Sequence, residues 1–271
     1  MVYEHLSRLY HRDEVRWKEE YERRSSSPMT RRFDFILQEY GRMQAYPAFC
    51  CYTEELALLQ EAIRRDFTIL LGRISRVPRA GIEQFLHTCL VQEIIATNAI
   101  EGVHSTKREI RAAMETTPED RLRMRLGGVV NKYARILQGE EISLHTPADV
   151  RGLFDTFLAD EIRRANPDNL PDGRLFRRSS VDIVSPAQKT IHRGSYPEEE
   201  IVRDMEKALA ILHEEQIPLL HRIAIFHYLF GYIHPFYDGN GRMSRFITTY
   251  FLAREFHPTV ALQLSLLIKK R

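Results

Sequence analysis

From Thr53 onward apolar residues recur at helical spacing, first Leu56, Leu58, Leu59, Ala62 and Ile63, then Ile82, Phe85, Leu86, Leu90, Ile94 and Ile95. A break at Pro78 to Gly81 separates the two runs, and the second is predicted to reach Ile100 and stop at Gly102, an ordinary helix terminator. Thr106 and Glu109 then form a Thr-x-x-Glu capping box for the next helix. Further helices are predicted at about 122–138 and from Pro147 to Ala165, the latter capped by Thr146. Between Pro167 and Pro197 the pattern changes. Pro171-Asp172-Gly173 signals a turn, Val181 to Val184 favours an extended strand, and Thr190-Ile191-His192 a second, which together read as a small β-hairpin. Ser195 or Tyr196 is expected to cap a new helix with Pro197 in its first position and Glu198 to Glu200 in its first turn. Ile201, Met205, Leu209 and Leu212 share one face of it, and helix continues to Lys270. Upstream, residues 1–45 are dense in Arg, Glu and Tyr, and Ser25-Ser26-Ser27-Pro28 reads as a turn between two helical pieces of an amphipathic arm. The expected fold is mainly α-helical, with a small β-hairpin and a helical N-terminal layer.

Composition narrows the class without changing that picture. The chain has 271 residues, 44% of them hydrophobic and 28% charged, the range of ordinary globular proteins and enough to bury a sizeable core in one or two closely packed domains. A formal net charge of +2 gives no global electrostatic case for nucleic acid or an anionic membrane as partner. The Arg23-Arg24 and Arg31-Arg32 pairs read as solvated helix faces. Three cysteines, two of them adjacent at Cys50 and Cys51, form neither a disulfide framework nor a common zinc spacing, so a reducing cytoplasm is the expected compartment. The first twenty residues are too charged for a signal peptide. The apolar run from Ile217 to Phe236 carries His221, Arg222, His227 and His234, and reads as a buried helix rather than a membrane span.

The chemistry concentrates in His234-Pro235-Phe236-Tyr237-Asp238-Gly239-Asn240-Gly241-Arg242-Met243-Ser244-Arg245. Pro235 starts a loop, and Met243, Phe246, Ile247 and Tyr250 restart helical spacing, so Gly239 and Gly241 sit at a helix N-terminus. Backbone N–H groups converging there, with the positive end of the helix dipole, make an anion cradle. Arg242 and Arg245 can add charge-assisted hydrogen bonds to phosphate, and Asp238 can hold a hard divalent cation that bridges phosphates. His234, with an ordinary pKa near neutrality, suits a general base for an attacking hydroxyl. A lone histidine is more often a core residue bonded to a neighbour, and Asp before Gly often only caps a turn. Here the combination outweighs both plain readings. His221 and His227, six apart rather than four, and His192 and His213 are read as structural.

The segment resembles the Fic family motif His-Pro-Phe-x-Asp/Glu-Gly-Asn-Gly-Arg-x-x-Arg at every defined position, and similarity extends over roughly residues 80–260. The resemblance implies a helical Fic (Fido) core with the hairpin as a flap, and transfer of a nucleotide moiety, usually AMP from ATP with Mg²⁺, to a Ser, Thr or Tyr hydroxyl. Carried over, His234 is the general base, Asp238 the Mg²⁺ ligand and Phe236 the core anchor of the loop. Gly239, Asn240 and Gly241 cradle phosphates, Arg242 stabilises them, and Arg245 holds the terminal phosphate. The flap, near residues 177–196, pairs with an extended segment of a target protein by main-chain hydrogen bonds. Self-modification and a homo-oligomer are left open.

Thr97-Asn98-Ala99-Ile100-Glu101-Gly102 resembles the family's inhibitory motif Ser/Thr-x-x-x-Glu-Gly/Asn, placed upstream of the loop as in the subclass with an N-terminal inhibitory helix. In that resemblance Glu101 pairs with Arg245 where the γ-phosphate belongs, and an Arg committed to a carboxylate cannot also clamp a phosphate. The plain alternative is that Glu101 is an exposed helix-end residue. The same glutamate could orient water for removal of AMP from a modified target. Two other readings stand beside transfer of AMP: a non-catalytic nucleotide sensor held off by Glu101, and an enzyme using UTP, GTP, a choline-bearing nucleotide or the phosphoryl group itself. The expected organisation is an N-terminal helical region, 1–110, carrying the inhibitory helix, and a core, 111–271.

Overall fold

Residues 33–37 place Phe33, Phe35 and Leu37 on one face of a strand with Asp34 and Ile36 on the other, and Phe35 is fully buried. That alternation builds an antiparallel hairpin where only helix was expected. A computed structural model of the chain describes residues 4–185 and 187–270. Contacts divide it into two units, Met1–Arg76 and Val77–Arg271.

The first unit runs α1 (Leu6–Arg12), α2 (Glu14–Ser25), β1 (Thr30–Gln38), β2 (Ala45–Cys51) and α3 (Glu54–Ile74). Thr30 stands opposite Cys51 and Gln38 opposite Ala45, with a register slip between Arg32 and Ile36. Trp17 of α2 packs on Tyr21 and Tyr46 at 5.7 and 5.3 Å between ring centres. The N-terminal layer is therefore part sheet. The arginines at 31 and 32 hid the period-two pattern beside them, because both point to solvent.

The second unit holds α4 (Arg79–Ile100), α5 (Lys107–Glu115), α6 (Pro118–Arg121), α7 (Gly127–Leu137), α8 (Pro147–Phe157), α9 (Ala159–Ala165), β3 (Asp182–Val184) and β4 (Thr190–Arg193). After these come α10 (Glu198–His213), α11 (Leu219–Ile233), α12 (Asn240–Glu255), α13 (Pro258–Ala261) and α14 (Leu264–Lys269). Its core collects Leu90 and Ile94 of α4, Tyr133 of α7, Phe154 and Phe157 of α8, Phe226 and Phe230 of α11 and Phe246 of α12. Contacts separate the chain at Arg76/Val77, and α4 is buried from Cys89 onward among the helices that follow it.

Local signals explain most boundaries. Thr106 with Glu109 and Thr146 with Asp149 both close reciprocal capping boxes. The helix expected from Pro147 to Ala165 is two, broken at Leu158, whose φ of −126° leaves the helical region. The helix expected from 122 starts at Gly127, and Pro197 lies outside α10 as its cap residue. The expected hairpin is present as β3 and β4, antiparallel, with Asp182 opposite Arg193 and a two-point ion pair between them at 2.6 and 2.9 Å. Among the described residues no helix is long and apolar enough to cross a membrane.

Candidate functional site

The loop joining α11 to α12 is built by the residues that stop one helix and start the next. His234 ends α11 in a left-handed conformation, φ 51° and ψ 61°, with its N–H bonded to Phe230 O at 3.0 Å. Pro235 has no N–H to continue the ladder. Phe236 is fully buried, stacked on Phe154 at 4.0 Å and edge-on to Phe176 at 5.5 Å, and so pins the loop to the core. Asn240 closes the turn from the other side: its amide oxygen accepts from Phe236 N–H at 3.0 Å and its amide nitrogen donates to Phe236 O at 2.7 Å. Gly239, at φ +85°, caps α12 in a conformation that a side chain would strain.

The first ladder bond of α12 runs from Met243 N–H to Gly239 O, 2.9 Å, which leaves the N–H groups of Asn240, Gly241 and Arg242 at the helix end outside its own ladder. A carboxylate already lies there. A Cβ placed on Gly241 would run into Glu101 Oε1, so the glycine makes the space the Glu101 carboxylate uses. Arg245 completes the contact, donating to Glu101 Oε1 at 2.7 Å, to Thr97 Oγ1 at 2.9 Å and to the Thr97 carbonyl at 3.1 Å. Thr97 is fully buried on α4, and Gly102 follows the helix end with its N–H on Ala99 O at 3.2 Å.

Arg242 points elsewhere. Its side chain is 1% exposed and donates to Glu161 Oε1 of α9 at 2.8 Å and to Asp238 Oδ1 at 3.4 Å. Asp238 Oδ1 also takes the Gly239 N–H at 2.5 Å. Arg242 thus braces the loop from inside, where the sequence suggested a phosphate contact. Asp238 itself keeps 39% of its side chain exposed, and among the described residues no group of three or more metal-ligating side chains gathers. A single open carboxylate fits an ion shared with substrate phosphates better than a protein-caged one.

His234 is not an ordinary histidine. Burial, and next the neighbouring Arg177 guanidinium, push its pKa down to about 4, partly offset by a hydrogen bond with the Gly231 backbone. The imidazole is therefore neutral at physiological pH and able to accept a proton. Three of the histidines read as structural make bonds within the fold: His192 meets Tyr232 O at 2.6 Å, His213 meets Leu144 O at 2.9 Å, and His227 lies between Ser244 and Thr248 at 2.9 and 3.1 Å.

The Fic/DOC family model matches residues 146–252, the stretch from the cap of α8 through the loop and most of α12. Those residues form a Fic domain. A Fic family protein from Desulfovibrio desulfuricans superposes with a TM-score of 0.59 at 22% identity, over 82% of this chain and 64% of that one, so the chain spans a little under two thirds of its length. That likeness shows the fold. Fic-1 from C. elegans aligns with a TM-score of 0.46 at 18% identity, over 76% of this chain and 62% of that one.

Three parts of the Fic domain escaped the sequence. Glu161 stands in a charged run with Asp160, Arg163 and Arg164, and the break at Leu158 starts the helix that carries it inward to Arg242. Glu198 accepts the N–H groups of Arg174, Leu175 and Phe176 at 3.1, 2.7 and 2.9 Å and so shapes the approach to the flap. Arg177, one of an Arg-Arg pair, is fully buried beneath the flap. A buried arginine and a solvated one carry the same letter, and nothing in the local pattern separates them.

Proposed function

We propose that this Fic domain is a protein adenylyltransferase, moving AMP from ATP to a Ser, Thr or Tyr hydroxyl of a target protein, and that Glu101 holds it off. One observation carries the reading: the Glu101 carboxylate lies at the positive end of α12 and on Arg245, the place and the partner that a phosphate would need. With the carboxylate withdrawn, the N–H groups of Asn240, Gly241 and Arg242 can donate to phosphate oxygens and Arg245 can take the terminal phosphate.

His234 accepts the target hydroxyl proton as that oxygen attacks the α-phosphorus. The new O–P bond forms, the bond from the α-phosphorus to its bridging oxygen breaks, and pyrophosphate leaves. Asp238 would hold Mg²⁺, which when bound supplies charge neutralisation at the phosphates. Arg242 keeps Asp238 and the loop in register. The β3–β4 flap offers main-chain edges to an extended target segment, the domain's own chain included. Cys50, Cys51 and Cys89 are all free thiols, which suits a reducing cytoplasm.

The test uses Glu101→Gly with Mg²⁺ and ATP labelled at either the α- or the γ-phosphate, read as label retained on protein. Label from the α-position supports transfer of AMP. Retention from the γ-position alone points instead to phosphoryl transfer, and no retention from either ends the reading.

A further inference from the structure

We infer that Arg177 is a positioning residue for the proposed base: its guanidinium ties both roots of the flap to the left-handed turn at His234, so that flap and base are set in place as one piece. The inference rests on the reading of His234 as base.

Arg177 is 0% exposed, and the acceptors of its guanidinium are all backbone carbonyls. Nη1 donates to Ser179 O at 2.6 Å, at the first root of the flap, and Nη2 to Ser195 O at 2.8 Å, at the second. Nε donates to His234 O at 2.9 Å, and Nη2 also reaches Ile233 O at 3.4 Å. The residue's own N–H bonds to Pro235 O at 3.3 Å, and Ser195 N–H bonds to Ile233 O at 3.0 Å. One side chain therefore links 179, 195, 233 and 234.

Burying a cation that among the described residues has only carbonyls for acceptors is costly, and burial pulls this guanidinium's pKa down. Only a planar, multi-donor fork can answer so many carbonyls at once; a lysine ammonium, a point charge with three donors on a flexible stem, cannot. What the fork secures is a strained residue. A non-glycine residue at φ 51° persists where its surroundings over-determine it, and Arg177 holds the carbonyl of that very residue. Gly194 shows how close the flap root passes: a Cβ there would stand 2.5 Å from Arg177 Nη2 and 2.9 Å from His234 Cβ. The same proximity lets the Arg177 charge reinforce burial in keeping the imidazole neutral.

The experiment compares Glu101→Gly alone with the same chain carrying Arg177→Lys, which keeps a cation but loses the fork, or Gly194→Ala, which keeps the arginine but presses a methyl group against its Nη2 and the His234 Cβ. Steady-state transfer and hydrogen exchange of the Ser195 amide are both read. In Arg177→Lys, kcat is expected to fall about 100-fold, as for a reacting group displaced by an ångström, with KM for ATP within about twofold and faster exchange at Ser195. A double variant that keeps the parent kcat and the parent exchange overturns the inference. If Arg177→Lys does not fold, Gly194→Ala decides by the same criteria. If the Glu101→Gly parent transfers no AMP, the adenylyltransferase reading fails by itself, and unchanged Ser195 exchange would still refute the link between flap and base.

Discussion

The loop from His234 to Arg242 and the end of α4 from Thr97 to Gly102 meet at one helix N-terminus, yet they are secured in opposite ways. The loop is locked from beneath by Phe236 against Phe154, by Asn240 folded back on Phe236, and by Arg242 on Glu161. The end of α4 touches it through Arg245, and the Glu101 carboxylate remains 28% exposed. A polar network deep in the core is expensive to disturb, whereas a carboxylate that stays partly exposed can give up its Arg245 partner to another anion at lower cost. The difference separates fixed machinery from a removable contact, and each variant below acts on one side of it.

The largest effect is expected from His234→Ala in a Glu101→Gly background. Transfer should drop by about 10² to 10⁴-fold, while ATP affinity measured by calorimetry stays within about twofold. An equal loss of ATP binding would mean that His234 belongs to the cradle and not to the chemistry. Next comes Phe236→Ala, which empties the stacking place against Phe154 and Phe176. Denaturant unfolding should show a loss of about 3–5 kcal/mol, and a loss under 1 kcal/mol would show the loop does not depend on its anchor. On the brake side, Thr97→Val removes the hydroxyl that accepts from Arg245 Nε and leaves Glu101 in place. Basal transfer should rise by roughly five- to tenfold, the worth of one ordinary hydrogen bond of about 1 kcal/mol; unchanged transfer would assign the hold to Glu101 alone. Smallest is the response to mild acid. Because the neutral imidazole is the active form and its pKa is lowered to about 4, the rate in the Glu101→Gly form should stay level as pH falls from 7 to about 5. An acid limb centred near 6.5, the ordinary histidine value, would show that His234 is more solvated than its burial implies.

Much of this was legible because it is local. Helix faces, both capping boxes, the flap strands and the loop at the start of α12 each lie within a short window of sequence. The approach of Glu101 to Arg245 spans 144 positions, and no periodicity reports it; only the resemblance to a known motif did. Partners of buried charges were illegible for a different reason. Arg177 and Arg242 carry the pattern of surface residues, and what buries them is a fold assembled from segments far away, including α9, whose inward turn depends on one non-helical residue, Leu158. The β1–β2 hairpin was illegible because Arg31 and Arg32, both exposed, stand next to the alternation of Phe33, Asp34 and Phe35 and break the period of two.

The most direct test of the removable contact is the initial rate of AMP incorporation from α-labelled ATP by the parent chain, Glu101→Gln and Glu101→Gly, side by side with Mg²⁺. If the carboxylate stands where a phosphate must go, the rate should rise in that order, with Glu101→Gly about 10- to 100-fold above the parent. Equal incorporation by all three forms would contradict it and leave Glu101 as an ordinary residue at the end of a helix.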